Sequence, residues 1–158
     1  MAVKNYTTEI KIEKTLMEIE NILIKFGAQG IYKEYKGNKI NSLMFFLIKD
    51  NQKIPFKIPM NIEKTRTIVV SAVHEGKLSK KYLEEPLRSD QGERIAWRII
   101  KDWIDSQLSL LEMQFAEATE IFLPYAYNML EEKTMYQKFV ENKEKYLSLE
   151  YKEEKESD

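Results

Sequence analysis

Lysine side chains are the groups in this chain best placed to do chemistry. Between Ile31 and Lys81 stand Lys33, Lys36, Lys39, Lys49, Lys53, Lys57, Lys64, Arg66, Lys77, Lys80 and Lys81, opposed only by Glu34, Asp50, Glu63 and Glu75. Tyr32, Tyr35, Phe45, Phe46 and Phe56 share the segment. Ammonium groups draw phosphates with a salt-dependent strength, and an exposed aromatic ring takes a stacked base at about 1–3 kcal/mol. That chemistry is binding rather than bond-making. The candidate anion contacts are Lys33, Lys36, Lys49, Lys53, Lys57, Lys64, Arg66, Lys80 and Lys81. A plainer account has the lysines solubilising a sheet face and blunting its edge. It draws support from Arg66 being the segment's one arginine, the residue preferred for forked phosphate contacts.

Groups for catalysis are few. His74 is the single histidine, and Ser71 and Glu75 are its neighbours only in sequence. Glu112, Glu117 and Glu120, with Asp102 or Asp105, are of the type that ligates hard cations, but no calcium-binding loop accompanies them. Five glycines supply neither a phosphate-binding loop nor a dinucleotide fingerprint. The absence of cysteine removes a disulfide framework and a zinc knuckle. The expectation is a non-enzyme with no cofactor and no metal.

Several elements must position these side chains. Leu16, Ile19, Leu23 and Phe26 recur on one helical face, predicting a helix over 13–26 with Gly27 as its stop. Before it, Thr8, Ile10 and Ile12 alternate as in a short extended segment. Residues 29–35, 40–49 and 53–59 read as an antiparallel meander, with turns at Lys36–Lys39 and Asp50–Gln52. Pro55 and Pro59 cannot donate ladder hydrogen bonds, which places the last strand at an edge or turns its proline nitrogens to solvent. Alternation puts Lys53 and Lys57 on one face and Ile54, Phe56 and Ile58 on the other. The consecutive Phe45 and Phe46 point to opposite sides.

Residues 61–88 read either as a fourth strand around Thr67–Val70 plus a short helix, or as a long connection. Asp90 and Glu93 form a capping-box pattern, followed by Trp97, Ile100, Ile104, Leu108, Leu111 and Phe115 at helical steps. A helix over 91–120 would reach about 45 Å, with Pro124 as its stop. Trp97 and Trp103 lie about 120° apart on it, so either the helix is buried on a wide face or one tryptophan anchors an interface, including one with a second copy. Residues 134–149 form a last amphipathic segment, and the charged end YKEEKESD is expected to fray.

The fold expected is α+β: a three- to four-stranded antiparallel sheet covered by a short N-terminal helix, followed by a long helix and a C-terminal helix. The division is an α+β domain over 1–124 and a helical, acidic extension over 125–158. The composition, 43% apolar, suffices for a core in a chain of 158 residues. Residues 1–82 hold 15 basic and 8 acidic side chains, and 83–158 hold 10 and 18. This sorting hints at an anionic partner or at self-association; equally, two halves of one fold would neutralise each other. The longest apolar run, Leu43–Ile48, is far too short to span a membrane. The first residues have no signal-peptide core. A cytoplasmic protein with no membrane partner is expected.

Three pieces of the chain resemble a family of small uncharacterised proteins of phages, prophages and mobile elements. They are Glu13-Lys14-Thr15-Leu16 through Ile19 to Lys25-Phe26-Gly27-Ala28; Ile54-Pro55-Phe56-Lys57-Ile58-Pro59; and Arg94 through Trp97 to Ile99-Ile100-Lys101, then Phe115 and Phe122-Leu123-Pro124. The likeness covers roughly residues 10–124. The chain departs from the family's pattern over 61–92, where arginine-rich loops are common, and in its acidic extension. The resemblance implies an accessory protein in the cytoplasm of a host cell and carries over no catalytic residue. The partner expected is nucleic acid, in replication or recombination. The alternative is a counter-defence inhibitor that grips a host immune protein or complex, with residues 141–158 as its distinguishing feature.

Overall fold

The computed structural model describes residues 5–147. It is α+β, with a three-stranded antiparallel sheet in the order β1-β2-β3. Helix α1 spans Ile12–Lys25 and buries Leu16, Ile19 and Leu23 on one face. Gly27 ends it at φ +94°, a conformation that costs glycine little. Among the described residues no strand precedes it; residues 5–7 form a turn.

Strands β1 (Gly30–Lys36), β2 (Lys39–Lys49) and β3 (Gln52–Lys57) follow as the meander. Asp50 and Asn51 both take positive φ, the geometry of a tight hairpin turn. Leu43, Phe45 and Leu47 of β2, with Phe56 of β3, point into the core against α1 and the long helix. β3 lies at the edge of the sheet. Pro55 stands opposite Phe46, and the Ile58 N–H donates to the Leu43 carbonyl at 3.0 Å. The alternating ladder therefore turns the Pro55 nitrogen away from β2.

The stretch after Pro59 departs from the strand expectation. Thr67–Val70 lies inside helix α2, Ile62–His74. Asn61 caps it, its side chain accepting from the Lys64 N–H at 3.2 Å. Thr65, Val69 and Ala72 form a buried stripe, and α2 packs on the long helix. Burial of that stripe outweighs the weak strand preference of β-branched residues. A 3-10 turn at Lys80–Leu83 completes the connection.

The long helix α3 runs Leu87–Glu112. It begins ahead of Asp90, so that Asp90 sits in its first turn and Glu93 in the interior. The Glu85 carboxylate serves its start, accepting the Ser89 N–H at 3.2 Å and the Ser89 hydroxyl. It ends well before Pro124, with Gln114 at φ +59°. The chain then turns back through helix α4, Ala118–Phe122, which drives Phe122 fully into the core. Its ring meets Phe26 at 5.0 Å, Phe45 at 5.1 Å, Trp103 at 5.9 Å and Phe56 at 6.2 Å between centroids.

Beyond Phe122 a 3-10 turn, Leu123–Tyr125, leads into a small hairpin, β4 (Tyr127–Asn128) and β5 (Lys133–Thr134). Ala126 bridges Phe56, which ties the hairpin to the β3 edge. The expected helix over 134–149 is two pieces, α5 (Met135–Glu141) and α6 (Lys143–Tyr146), parted at Asn142. Thr134 and Gln137 form a capping box at the start of α5. Residues 148–158, including the whole charged end YKEEKESD, lie outside the described residues.

Candidate nucleic-acid interface

Because α1, α3 and α4 cover one side of the sheet, the other side faces outward. The register puts Tyr32, Met44 and Lys57 in one cross-strand row, Phe46 beside Pro55, Ile48 beside Lys53, and Glu34 beside Ser42. Tyr32 and Ile48 are exposed. Lys53 Nζ stands 4.5 Å from the Phe46 ring centre, and Lys57 Nζ 5.0 Å from that of Tyr127. The β4–β5 hairpin flanks this face. Together they enclose an open groove of about 300 Å³. Tyr32, Phe46 and Tyr127 wall it, with Met44 and Met129, and its polar groups are Lys57, Glu34 and Glu132.

The nine candidate cations separate into three sets. Lys53 and Lys57 share the outward face, and Lys36 is exposed at the end of β1. Among the described residues none of these three forms an ion pair. Lys33, Lys49 and Arg66 are held by the chain's own acids. Lys33 lies on the helix side, 2.7 Å from Glu20, and the hydrogen bond to that carboxylate raises its pKa above the ordinary lysine value. Lys49 reaches Glu117 at 2.7 Å. Arg66 Nε donates to Ser89 Oγ at 3.1 Å and lies 3.5 Å from Glu85. These three contacts stitch helices and sheet together. Lys64, Lys80 and Lys81 are exposed on α2 and the 3-10 turn, which pack on α3 rather than on the sheet.

The sorted charge is thus partly internal. Besides Lys49–Glu117 and Arg66–Glu85, Lys39 Nζ lies 3.1 Å from Asp90 and 3.6 Å from Glu93. All three join the basic half to the acidic half.

Trp97 is fully buried among α1, α3 and sheet residues, and so cannot anchor a partner. Trp103 is half-buried, with its ring 5.3 Å from that of Tyr125 and 5.9 Å from that of Phe122. The wide buried face of α3 accounts for their angular separation. His74 is the exposed last residue of α2. No group of three acidic or histidine side chains among the described residues could hold a metal ion. No helix there is long and apolar enough to cross a membrane.

A second cleft, about 520 Å³, opens where the start of α1 and the β1–β2 turn meet the first turns of α3. Glu93 lines it and is buried, and burial pushes its pKa up against the opposing pull of Lys39. A carboxyl whose native pKa is raised favours the native state below its ordinary value of 4.5, and that contribution is lost as pH rises through the native value. Glu93→Gln, with no proton to lose, is expected to show a flatter dependence of unfolding temperature on pH from 4.5 upward than the parent. Parallel profiles for the two proteins would refute this account of Glu93.

Sequence reasoning brought Lys53, Lys57 and Phe46 to the site but missed Tyr127, Met129 and Glu132. A signal was present in Asn128, a turn-forming residue two positions before an otherwise helix-favouring run. Its side chain accepts the N–H groups of Leu130 and Glu131, each at 3.0 Å, and so builds the turn. Compared with known proteins, the chain matches no family model, no curated protein and no solved structure.

Proposed function

We propose that the chain acts by binding nucleic acid on the outward face of its sheet, as an accessory protein of phage or mobile-element replication or recombination. One observation carries the reading: Lys53, exposed, and Lys57, half-buried, lie on the outward face of the sheet, without acidic partners among the described residues, directly over aromatic rings. Magnitudes decide how such a face responds to a polyanion. An exposed lysine–ring contact is worth about 0.5–1 kcal/mol, whereas a base stacked on the ring is worth about 1–3 kcal/mol. A base therefore displaces the lysine from the ring, and the freed ammonium moves to the adjoining phosphate. The face stores its cations beside the stacking platforms and releases them on binding. The mobile-element setting rests on the three-piece sequence resemblance. The inhibitor alternative leans on residues 141–158, most of which lie outside the described residues.

Single-stranded DNA or RNA is expected to bind at about 50 mM salt and to dissociate steeply as salt rises. Lys53→Glu with Lys57→Glu should weaken binding at least tenfold and flatten the plot of log affinity against log salt by about one unit per lost phosphate contact. Fluorescence anisotropy over a salt series measures both. No binding at low salt, or an unchanged slope in the double variant, would end this reading.

A further inference from the structure

Two carboxylates, Glu34 and Glu132, line the groove beside Lys57. They are out of place on a surface meant only for phosphates, which they repel. Neither is engaged in an ion pair among the described residues. Glu34 takes one hydrogen bond, from the Ser42 hydroxyl to Oε2 at 3.4 Å, which orients its carboxylate and leaves Oε1 open. Glu132 sits at the hairpin turn at φ +54°. Tyr32, Phe46 and Tyr127 line the same groove. The groove thus offers aromatic walls, two acceptor groups and one cation in a space of about 300 Å³, the lower end of the range for small-ligand sites, about 300–1,000 Å³.

We propose that this groove takes one unpaired base bearing an exocyclic amino group, guanine above all, with the flanking phosphates on Lys57 and Lys53. The inference rests on the nucleic-acid reading above and adds base selectivity to it. The chemistry follows from the donor and acceptor inventory. A carboxylate only accepts, through two oxygens. Guanine presents N1–H and the 2-amino group side by side on its pairing edge, two parallel donors that match those oxygens. Cytosine and adenine present one amino group each next to a ring-nitrogen acceptor. Thymine and uracil flank their single N3–H with two carbonyl acceptors, which face a carboxylate unfavourably. Unpaired bases are read in this way, by stacking and by their pairing edges. The carboxylates therefore discriminate among bases, while the lysines supply affinity.

The test compares an oligothymidine with the same oligomer carrying one central deoxyguanosine, titrated against the full chain at about 50 mM salt. The guanine-bearing oligomer is expected to bind at least tenfold more tightly. Glu34→Gln with Glu132→Gln removes two exposed negative charges, so it should hold or strengthen binding of plain oligothymidine while the guanine preference shrinks to within about twofold. Unfolding midpoints confirm that both proteins are folded. Equal affinities for the two oligomers would overturn the base-selective groove and leave the nucleic-acid reading standing. A preference that survives in the double variant would overturn the role of the carboxylates. If neither oligomer binds, the parent reading falls, and this one with it.

Discussion

Phe122→Ala is expected to be among the most destabilising single substitutions in this chain, costing about 3–5 kcal/mol. For a domain of this size that lowers the thermal midpoint by roughly 6–20 °C. The side chain is fully buried and is the meeting point of Phe26, Phe45, Phe56 and Trp103, which come from the C-terminal cap of α1 and from β2, β3 and α3. Truncation to alanine leaves a cavity bounded by four elements, and these cannot all close on it at once. All four contacts are edge-to-face, so the lost aromatic geometry adds to the lost burial. The effect should extend beyond stability. Phe122 is the last core residue before the β4–β5 hairpin, and Ala126 joins that hairpin to Phe56. Loosening Phe122 frees Tyr127, one wall of the outward groove. The nucleic-acid affinity proposed above should therefore fall even at temperatures where the variant remains folded. A midpoint within about 2 °C of the parent would show that the C-terminal segment does not depend on this anchor.

The same residue shows why some of the fold could be read from sequence and some could not. Helix α1, the meander and the core face of α3 announce themselves through local periodicity, because each buries one face of a regular element. The end of α3 does not. Its apolar spacing continues to Phe115, yet the helix stops at Glu112, and Phe115 is 71% exposed. The helix ends in a left-handed Gln114 at φ +59°, with the Phe115 N–H donating to the Leu110 carbonyl at 3.0 Å, and the chain then returns to place Phe122 between Phe26, Phe45 and Phe56. The apolar spacing carries no record of that return. The β-branched run in α2 fails for the same reason: its preference for strand is a fraction of a kcal/mol per residue, and packing on α3 outweighs it. At the candidate site, alternation alone placed Lys53 and Lys57 together. Which lysines would be neutralised required knowing that Glu20 lies over β1 and that Glu117 reaches the end of β2. Pairings across 13 and 68 residues follow from the tertiary fold.

Gly92 tests that long-range logic most directly. Glycine in the interior of a 26-residue helix costs about 1 kcal/mol against alanine, so helix propensity alone predicts that Gly92→Ala stabilises. Packing predicts the reverse. A Cβ at this position would stand 2.6 Å from the Thr65 carbonyl oxygen and 2.9 Å from its carbonyl carbon. Both are backbone atoms of α2, which cannot turn aside as a side chain can. Thr65 is itself buried, and its hydroxyl donates to the Ile62 carbonyl at 2.6 Å, so the first turn of α2 is held where it is. To admit one methyl group α2 must move off α3 as a unit, and overpacking of this kind costs about 1–3 kcal/mol or more. With backbone rather than side chain in the way the steric cost stands at the upper end of that range, and the expected result is a net loss of about 1–2 kcal/mol in chemical denaturation. Gly30→Ala is the matched control. There the added Cβ meets only Phe46 Cδ2, at an ordinary 3.6 Å, and stability should change by less than about 1 kcal/mol. If Gly92→Ala proves as stable as the parent or more so, α2 does not lie against α3 at this separation. The α2 surface carrying Lys64 would then have to be placed anew relative to the sheet.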